Sequence, residues 1–356
     1  MPDYTIAKDK AVEWLARLGE RYAIYAPGAD GMAFERTADY GSALQPSGNT
    51  RRPPKEAFFP ASQTLLTFRR SEDGMEIAEA VSDSAQAEPR LLVGVRPCDA
   101  TALSLLDTVF SQEYSGYEDP YYRSARSAIP VISLVCAEPL EGCFCGDAPG
   151  VDLASPPADV VLTDLGDRYF AEAKSETGQE LVAAGSEWFQ AAGDDDRAAR
   201  DNAASDLRAR TAEGLPLAEM REKLAGLHES PLWKELSQKC VRCGVCSFLC
   251  PTCHCFDIQD EMLGTTGCRY RCWDTCQFTD FTLMTSGENP RRDPAERLKQ
   301  RICHKLEYLP ERTDAVYCVG CGRCVRLCPV GMDVRETIVA LAAAPAAGAH
   351  EESSGA

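Results

Sequence analysis

The chain has 356 residues, of which 44% are apolar and 26% are charged, a composition typical of a soluble globular protein large enough for two domains. Its formal net charge of −18 makes DNA or RNA a poor partner, because a phosphate backbone would be repelled. We find no apolar run that could span a membrane and no secretory signal at the amino terminus, and therefore expect a cytoplasmic protein.

The first half of the chain predicts a mixed α/β fold. An amphipathic helix is expected over residues 8–18, and further helices over 100–110 and near 179–192. Short apolar runs predict strands near 22–25, 64–68, 91–97, 129–136 and 159–165. Because strands alternate with helices, we expect a sheet with at least a parallel portion. Residues 1–192 are therefore assigned to an amino-terminal domain of the α+β or α/β class.

The rest of the chain divides by composition. Residues 193–229 are charged and rich in alanine, which predicts an exposed helix and linker. Residues 230–340 contain most of the cysteines and form the second predicted domain. Residues 341–356 are low in complexity and predict a disordered tail.

Cysteine usage is the most informative feature of the composition. Without an export signal, 18 cysteines argue against a disulfide scaffold, because the cytosol keeps thiols reduced. Residues 239–329 contain 13 Lys and Arg against 11 Asp and Glu, so the remainder of the chain carries the acidic excess. Positive charge close to the thiols favours thiolates that bind a metal centre.

Two runs of four cysteines share the spacing C-x2-C-x2-C-x3-C-P. The first contains Cys240, Cys243, Cys246 and Cys250, and the second contains Cys318, Cys321, Cys324 and Cys328. This spacing is that of bacterial two-cluster ferredoxins, in which a tight loop points three thiolates into one cavity and the fourth cysteine reaches the other cluster. Zinc is the alternative, but zinc sites use C-x2-C pairs in place of this spacing.

We therefore predict two 4Fe–4S clusters with crossed ligand sets. The first set is Cys240, Cys243, Cys246 and Cys328, and the second is Cys318, Cys321, Cys324 and Cys250. The insert between the runs, residues 251–317, is far longer than a small βαβ ferredoxin needs. Its segments 257–263 and 294–309 are expected to be helical, which favours an α-helical two-cluster ferredoxin domain.

The residues around these motifs resemble a known family. CPTCHCFDIQDE (250–261), RCWDTCQF (271–278) and YCVGCGRCVRLCP (317–329) look like the iron–sulfur beta subunit of cytoplasmic NAD(P)-linked nickel–iron hydrogenases, the sulfhydrogenases. The first subunit of anaerobic sulfite reductase is similar. In the first half, RRPPKEAFFPASQTLLTF (51–68), GVRPCDATALSLLDTVF (94–110) and EPLEGCFC (138–145) match as well.

The resemblance implies an electron-carrying subunit of a larger oxidoreductase. Its partners would be a flavoprotein subunit that reacts with NAD(P)H and a hydrogenase, sulfite reductase or heterodisulfide-reductase-like subunit. Cys268 and Cys272 are not recognised as positions of the family. The resemblance does not identify the terminal enzyme.

A second cysteine group lies in the first half of the chain. Cys98 and Cys136 each follow a predicted strand, and parallel strands would place both at the carboxyl edge of the sheet. Cys143 and Cys145 lie on the next loop and could complete a four-thiolate site. We predict a third 4Fe–4S cluster here, with zinc or unligated buried thiols as alternatives.

The insert carries further thiols whose role stays open. Cys253, Cys255 and Cys276 fit a further cluster, a redox-active thiol pair or simple packing near the clusters. Cys268, Cys272 and Cys276 would share a helix face if their segment is helical. His254 and His304 are expected to pack or to form hydrogen bonds and not to bind metal. Asp99 is expected to cap the helix at 100–110.

The hypothesis we favour is an electron relay without a catalytic site of its own. No G-x-G-x-x-G or G-x4-G-K-[ST] motif supports nucleotide binding, and no nucleophile–base pair is evident. Arg242 and Arg323 are expected to help set the cluster potentials. The alternatives are a redox sensor or scaffold, favoured by the extra cysteines of 253–276, and a catalytic subunit that reduces a sulfur compound at Cys98–Cys145.

Overall fold

A computed structural model describes residues 3–45, 48–79 and 88–345. Most of the predicted tail, residues 346–356, lies outside the described residues. The final helix extends to Ala343 and so includes the first residues of that predicted tail.

Twelve strands are found in the described part of the chain. In chain order they are β1 (Asp3–Ala7), β2 (Ala23–Pro27), β3 (Phe34–Arg36), β4 (Ser62–Ser71), β5 (Gly74–Glu79), β6 (Arg90–Val95), β7 (Val131–Leu134), β8 (Val160–Asp164), β9 (Arg168–Ala173), β10 (Phe189–Ala191), β11 (Phe256–Leu263) and β12 (Thr266–Trp273). All five strands predicted in the first half are present.

The helices of the described residues are mostly short. They are α1 (Lys8–Leu18), α2 (Tyr40–Ala43), α3 (Pro97–Val109), α4 (Gln112–Ser115), α5 (Pro120–Ala128), α6 (Glu176–Ala183), α7 (Asp194–Thr211), α8 (Met220–Ala225), α9 (Leu232–Leu236), α10 (Val245–Phe248), α11 (Pro294–Cys303), α12 (Leu309–Thr313), α13 (Arg323–Arg326) and α14 (Val334–Ala343). A π-helical turn, His304–Tyr308, joins α11 to α12. No helix among the described residues combines the length and apolarity needed to cross a bilayer.

The larger sheet contains eight strands in the order β10-β1-β9-β8-β7-β6-β2-β3. Its centre is parallel, because β2 pairs with β6, β6 with β7 and β7 with β8 in that sense. The outer pairs are antiparallel. The expected parallel portion is therefore present, and its carboxyl edge faces the cysteine loops.

The smaller sheet is antiparallel, with the order β11-β12-β4-β5. It corrects our expectation of helix at 257–263, and Cys268 and Cys272 lie on a strand and not on a helix face. The two-residue turn at Gly264 and Thr265 explains why these residues form a hairpin and not a helix. Gly264 has a φ of 63°, and the turn joins two strands whose residues pair continuously. The bidentate ion pair between Arg269 and Asp260 adds a cross-strand contact, with both distances 2.7 Å.

Two further local expectations need correction. The predicted helix near 179–192 ends at Ala183, and Phe189–Ala191 instead form an edge strand beside β1. Asp99 does not cap its helix, because α3 begins at Pro97 and Asp99 lies within the first turn. The carboxylate of Asp99 pairs with Arg323 instead.

One buried apolar cluster draws residues from both halves of the sequence. It contains Ala102, Val135 and Phe144 together with Leu298 and Ile338. The cysteine loops of the second half therefore pack directly against the carboxyl edge of the large sheet.

Candidate metal centres

The first cysteine loop is shaped by its glycine. Gly244 has a φ of 75°, and a Cβ at this position would lie 2.9 Å from the side chain of Thr275. Only glycine accepts this left-handed conformation without strain. The turn precedes α10, which carries Cys246.

The first cavity is lined by Cys240, Cys243, Cys246 and Cys328. This is the crossed set predicted for the first cluster. Cys324 of the second run also borders the cavity, so the two cysteine loops meet at its wall. The remaining lining is mostly apolar.

The second cavity is lined by Cys318, Cys321, Cys324 and Cys250. The structure thus brings the eight thiols together in the two predicted groups, although the ligand sets themselves remain a prediction. No carboxylate is among the described residues that line this cavity, whereas Arg301 and Lys305 are. Thiols, apolar walls and buried cations fit an iron–sulfur cluster.

Burial makes several of these thiols weaker acids than an exposed cysteine. It raises the pKa of Cys321 to about 11 and also raises the pKa of Cys324. A cluster requires thiolates, so its binding to this site would release protons.

The third predicted group also converges. Because β6 and β7 are parallel neighbours, Cys98 and Cys136 lie at the same edge of the sheet. Cys145 interacts electrostatically with Cys98, Cys136 and Cys143, and Cys136 interacts with Cys143. Burial raises the pKa of Cys136 to about 11 and that of Cys145 to about 12.

Hydrogen-bond donors surround the sulfurs of this third group. Arg326 Nη1 lies 3.5 Å from Cys143 Sγ, and Asn49 Nδ2 lies 3.9 Å from Cys98 Sγ. The guanidinium of Arg96 is buried beside Cys136 and Cys98 and donates to three backbone carbonyls. These donors fit a thiolate-bound centre, because they would stabilise negative charge on sulfur.

The loop that carries Cys143 and Cys145 docks onto the second cysteine run. Phe144 N donates to Gly320 O at 2.8 Å. A Cβ at Gly320 would lie 2.4 Å from Phe144 O, and one at Gly322 would lie 2.5 Å from Gly142 O. The two backbones approach too closely for any side chain at these glycines.

Asp99 and Arg323 join the sheet edge to the same cysteine run. Arg323 Nη1 and Nη2 lie 2.6 and 2.8 Å from the two carboxylate oxygens of Asp99, and Arg323 Nε donates to Thr50 O at 2.7 Å. The exposure of the two side chains is 0% and 1%. Arg323 is therefore fixed in place by Asp99, a contact that sequence separation concealed.

Three buried cations near the clusters were missed by the sequence analysis. Lys55 donates to the carbonyl oxygens of Cys250 and Cys253 at 2.9 and 2.7 Å. Arg301 donates to Cys253 Sγ at 3.6 Å, and Lys305 donates to Tyr317 O at 3.2 Å. None has a carboxylate within ion-pair distance among the described residues. The sequence did contain a signal for two of them, because Arg301 and Lys305 lie four residues apart beside the apolar positions of the helix predicted over 294–309.

The other cysteines and histidines of the insert separate into two places. Cys268 and Cys272 lie on β12 and are not among the residues that line the cysteine cavities. Cys253, Cys255 and Cys276 instead line one small cavity. His254 Nδ1 bonds Thr252 O at 3.1 Å, and its ring lies 5.5 Å from that of His304.

Comparisons with known proteins identify the domain that contains both cysteine runs. Residues 239–332 match the model of the family described as 4Fe-4S dicluster domain. Over 328 residues the chain is 27% identical to sulfhydrogenase 2 subunit beta of Pyrococcus furiosus, covering 90% of this chain and 92% of that protein. The predicted resemblance is confirmed, and the dicluster domain indicates 4Fe–4S clusters.

Proposed function

Because the chain carries a 4Fe-4S dicluster domain and is a homologue of a sulfhydrogenase beta subunit, we propose that it is the iron–sulfur electron-transfer subunit of a multisubunit oxidoreductase. Its bound 4Fe–4S clusters would each accept and donate one electron. The residues of this chain would hold the clusters, stabilise their negative charge and exclude water.

The main support for this proposal is that the three predicted cluster sites lie next to one another. Cys324 borders both cavities of the dicluster domain. The loop of Cys143 and Cys145 lies against the loop of the second cavity through the Phe144–Gly320 hydrogen bond. A relay needs this continuity, since electrons pass between neighbouring centres.

We propose the ligand sets that the sequence predicts. Cys240, Cys243, Cys246 and Cys328 would hold one cluster, and Cys318, Cys321, Cys324 and Cys250 a second. The third would be held by Cys98, Cys136, Cys143 and Cys145. One end of the relay would exchange electrons with a flavoprotein subunit that reacts with NAD(P)H. The other end would serve a hydrogenase or a sulfur-, sulfite- or disulfide-reducing subunit.

The test is electron transfer through a complex isolated by an affinity tag on this chain. Cys246→Ala and Cys324→Ala are each expected to lose one cluster and to interrupt NAD(P)H-linked electron flow. Cys272→Ala is the matched control, since that thiol lies on β12 outside the cavities. If iron content and electron flow both remain normal in Cys246→Ala and Cys324→Ala, the relay function is contradicted.

The same preparation separates the alternative functions. A redox sensor predicts that oxygen releases the partner subunits without any steady-state electron flow. A catalytic subunit predicts that the isolated chain turns over sulfite or polysulfide. Neither result is expected for a relay.

A further inference from the structure

Three thiols outside the predicted ligand sets share a cavity of their own. Cys253, Cys255 and Cys276 line it, together with His304. The thiols of Cys255 and Cys276 lie in hydrogen-bonding contact, and Cys253 interacts electrostatically with Cys255. Cys276 is only 8% exposed. Cys253 also lies in hydrogen-bonding contact with Cys250 of the first run, so this cavity adjoins the second predicted cluster.

The backbone brings these thiols together from two segments. Cys253 and Cys255 follow the turn after the first cysteine run, and Cys276 follows the end of β12. Asp274 N donates to Cys255 O at 3.0 Å, which fixes the two segments against each other. The small antiparallel sheet therefore delivers Cys276 to the dicluster domain.

The sulfurs of this cavity accept hydrogen bonds. Arg301 Nη1 lies 3.6 Å from Cys253 Sγ, and Gln277 Nε2 lies 3.5 Å from Cys276 Sγ. Arg301 and Lys305 both line the cavity, and each is only 7% exposed. Buried cations need anionic partners, and no carboxylate is among the described residues of this lining. Metal-bound thiolates in this cavity would add to the negative charge that the second predicted cluster supplies to the same two cations.

The imidazole of His304 is available as a fourth ligand. His254 in the same lining uses Nδ1 for its bond to Thr252 O. The ring nitrogens of His304 have no hydrogen-bond partner among the described residues. A neutral imidazole can replace a cysteine as a ligand of cluster iron.

We propose that Cys253, Cys255 and Cys276, with His304 at the fourth corner, hold a further 4Fe–4S cluster. This assignment does not rest on the relay function, because it concerns which residues bind iron. It adds a centre beside Arg301, a residue that also lines the two cavities of the dicluster domain.

The spacing of the sulfurs favours a cluster over a single zinc ion. With zinc–sulfur bonds of about 2.3 Å, tetrahedral ligands lie within about 4 Å of one another. Among the described residues, only His228, Cys303 and Glu307 bring three ligand atoms within 4.8 Å of one another, and there Glu307 is already paired with His228 at 2.8 Å. At least one pair of sulfurs among Cys253, Cys255 and Cys276 is therefore more than 4.8 Å apart, which is too far for ligands of one tetrahedral zinc ion.

The experiment measures iron, zinc and acid-labile sulfide per chain, with EPR of the reduced protein, on full-length chain purified without oxygen. The variant Cys253→Ser/Cys255→Ser/Cys276→Ser is expected to lose about four irons and one cluster signal. The control Cys268→Ser/Cys272→Ser changes thiols of the neighbouring strand. It is expected to keep its iron content and all of its cluster signals. His304→Ala is expected to retain most iron but to change the EPR spectrum of one cluster.

Unchanged iron and EPR spectra in the triple variant would overturn the proposal, and so would loss of zinc in place of iron. If the triple variant does not fold, Cys276→Ser decides alone: an altered signal supports the cluster, and an unchanged one overturns it. An unchanged spectrum in His304→Ala overturns the fourth ligand. Failure of the relay would appear differently, as normal electron flow through Cys246→Ala.

Discussion

The ion pair between Asp99 and Arg323 is the most deeply buried one in the described residues, with side-chain exposures of 1% and 0%. Removing one partner would leave the other charge without compensation in a medium of low polarity. Such losses cost about 3–5 kcal/mol, far more than the loss of an exposed ion pair. Arg323 also lies between Cys321 and Cys324, so its position affects the second cysteine loop directly.

Asp99→Ala is therefore expected to destabilise the protein by about 3–5 kcal/mol and to reduce the occupancy of the second cluster. Chemical denaturation and iron content measure the two effects. Asp260→Ala is the control, because Asp260 forms a similar bidentate pair with Arg269 on the exposed hairpin. Equal effects of the two substitutions would show that burial of the Asp99 pair has no energetic consequence.

Arg301 is expected to raise the reduction potentials of the neighbouring clusters. Reduction adds negative charge, which the buried guanidinium stabilises. At an effective dielectric constant of about 20, a unit charge about 10 Å away contributes between about 1 and 2 kcal/mol, or on the order of 60 mV for one electron.

Arg301→Met should accordingly lower at least one midpoint potential by tens of millivolts. A redox titration followed by EPR measures the shift. Lys234→Met removes an exposed cation of α9 and should change little, since exposed charges are screened by solvent. A higher potential in Arg301→Met, or identical potentials in both variants, would contradict this role of the buried charge.

At the scale of elements, the docking of the loop around Phe144 depends on glycine. Gly320 and Gly150 both have positive φ, 61° and 83°. Only Gly320 faces a neighbouring backbone, since a Cβ there would lie 2.4 Å from Phe144 O, whereas Gly150 faces open space. Substitutions at the two positions therefore distinguish a steric clash with a neighbouring backbone from backbone strain alone.

Gly320→Ala is expected to displace the Cys143–Cys145 loop and to lower iron content by about four atoms per chain, the share of the third cluster. Gly150→Ala should lose only about 1 kcal/mol of stability through backbone strain and keep its iron. Thermal unfolding and iron analysis distinguish the two. Full iron content in Gly320→Ala would argue against the third cluster or against its dependence on this contact.

The secondary-structure elements differed in how well they could be predicted from the sequence. The helix at 8–18 and the parallel strands were predictable, because their apolar periodicity reflects burial on known faces. The strand Phe256–Leu263 was not, since all its residues are exposed and no periodic burial marks it. The cysteine runs were predictable because three of the four predicted ligands of each cluster lie within one short segment of the sequence. The convergence of Cys255 with Cys276, and of Asp99 with Arg323, depends on tertiary packing that local patterns do not encode.

At the scale of the whole molecule, the two predicted domains share contacts that a simple linker would not provide. Lys55 of the first half bonds the carbonyl oxygens of Cys250 and Cys253. Asp99 fixes Arg323, and Phe144 bonds Gly320. A single buried cluster contains apolar residues of both halves. The boundary at residue 230 therefore marks a change in composition more than a separation of cores.

We accordingly expect a fragment of residues 230–345 to bind fewer than the roughly eight irons of two complete clusters and to unfold without a cooperative transition. Its buried apolar residues, such as Leu298 and Ile338, would lose the partners that Ala102 and Phe144 provide. The full chain should unfold in one transition under the same anaerobic conditions. Calorimetry and iron analysis of both proteins make the comparison. A fragment that holds about eight irons and melts cooperatively would instead establish residues 230–340 as an independent dicluster domain.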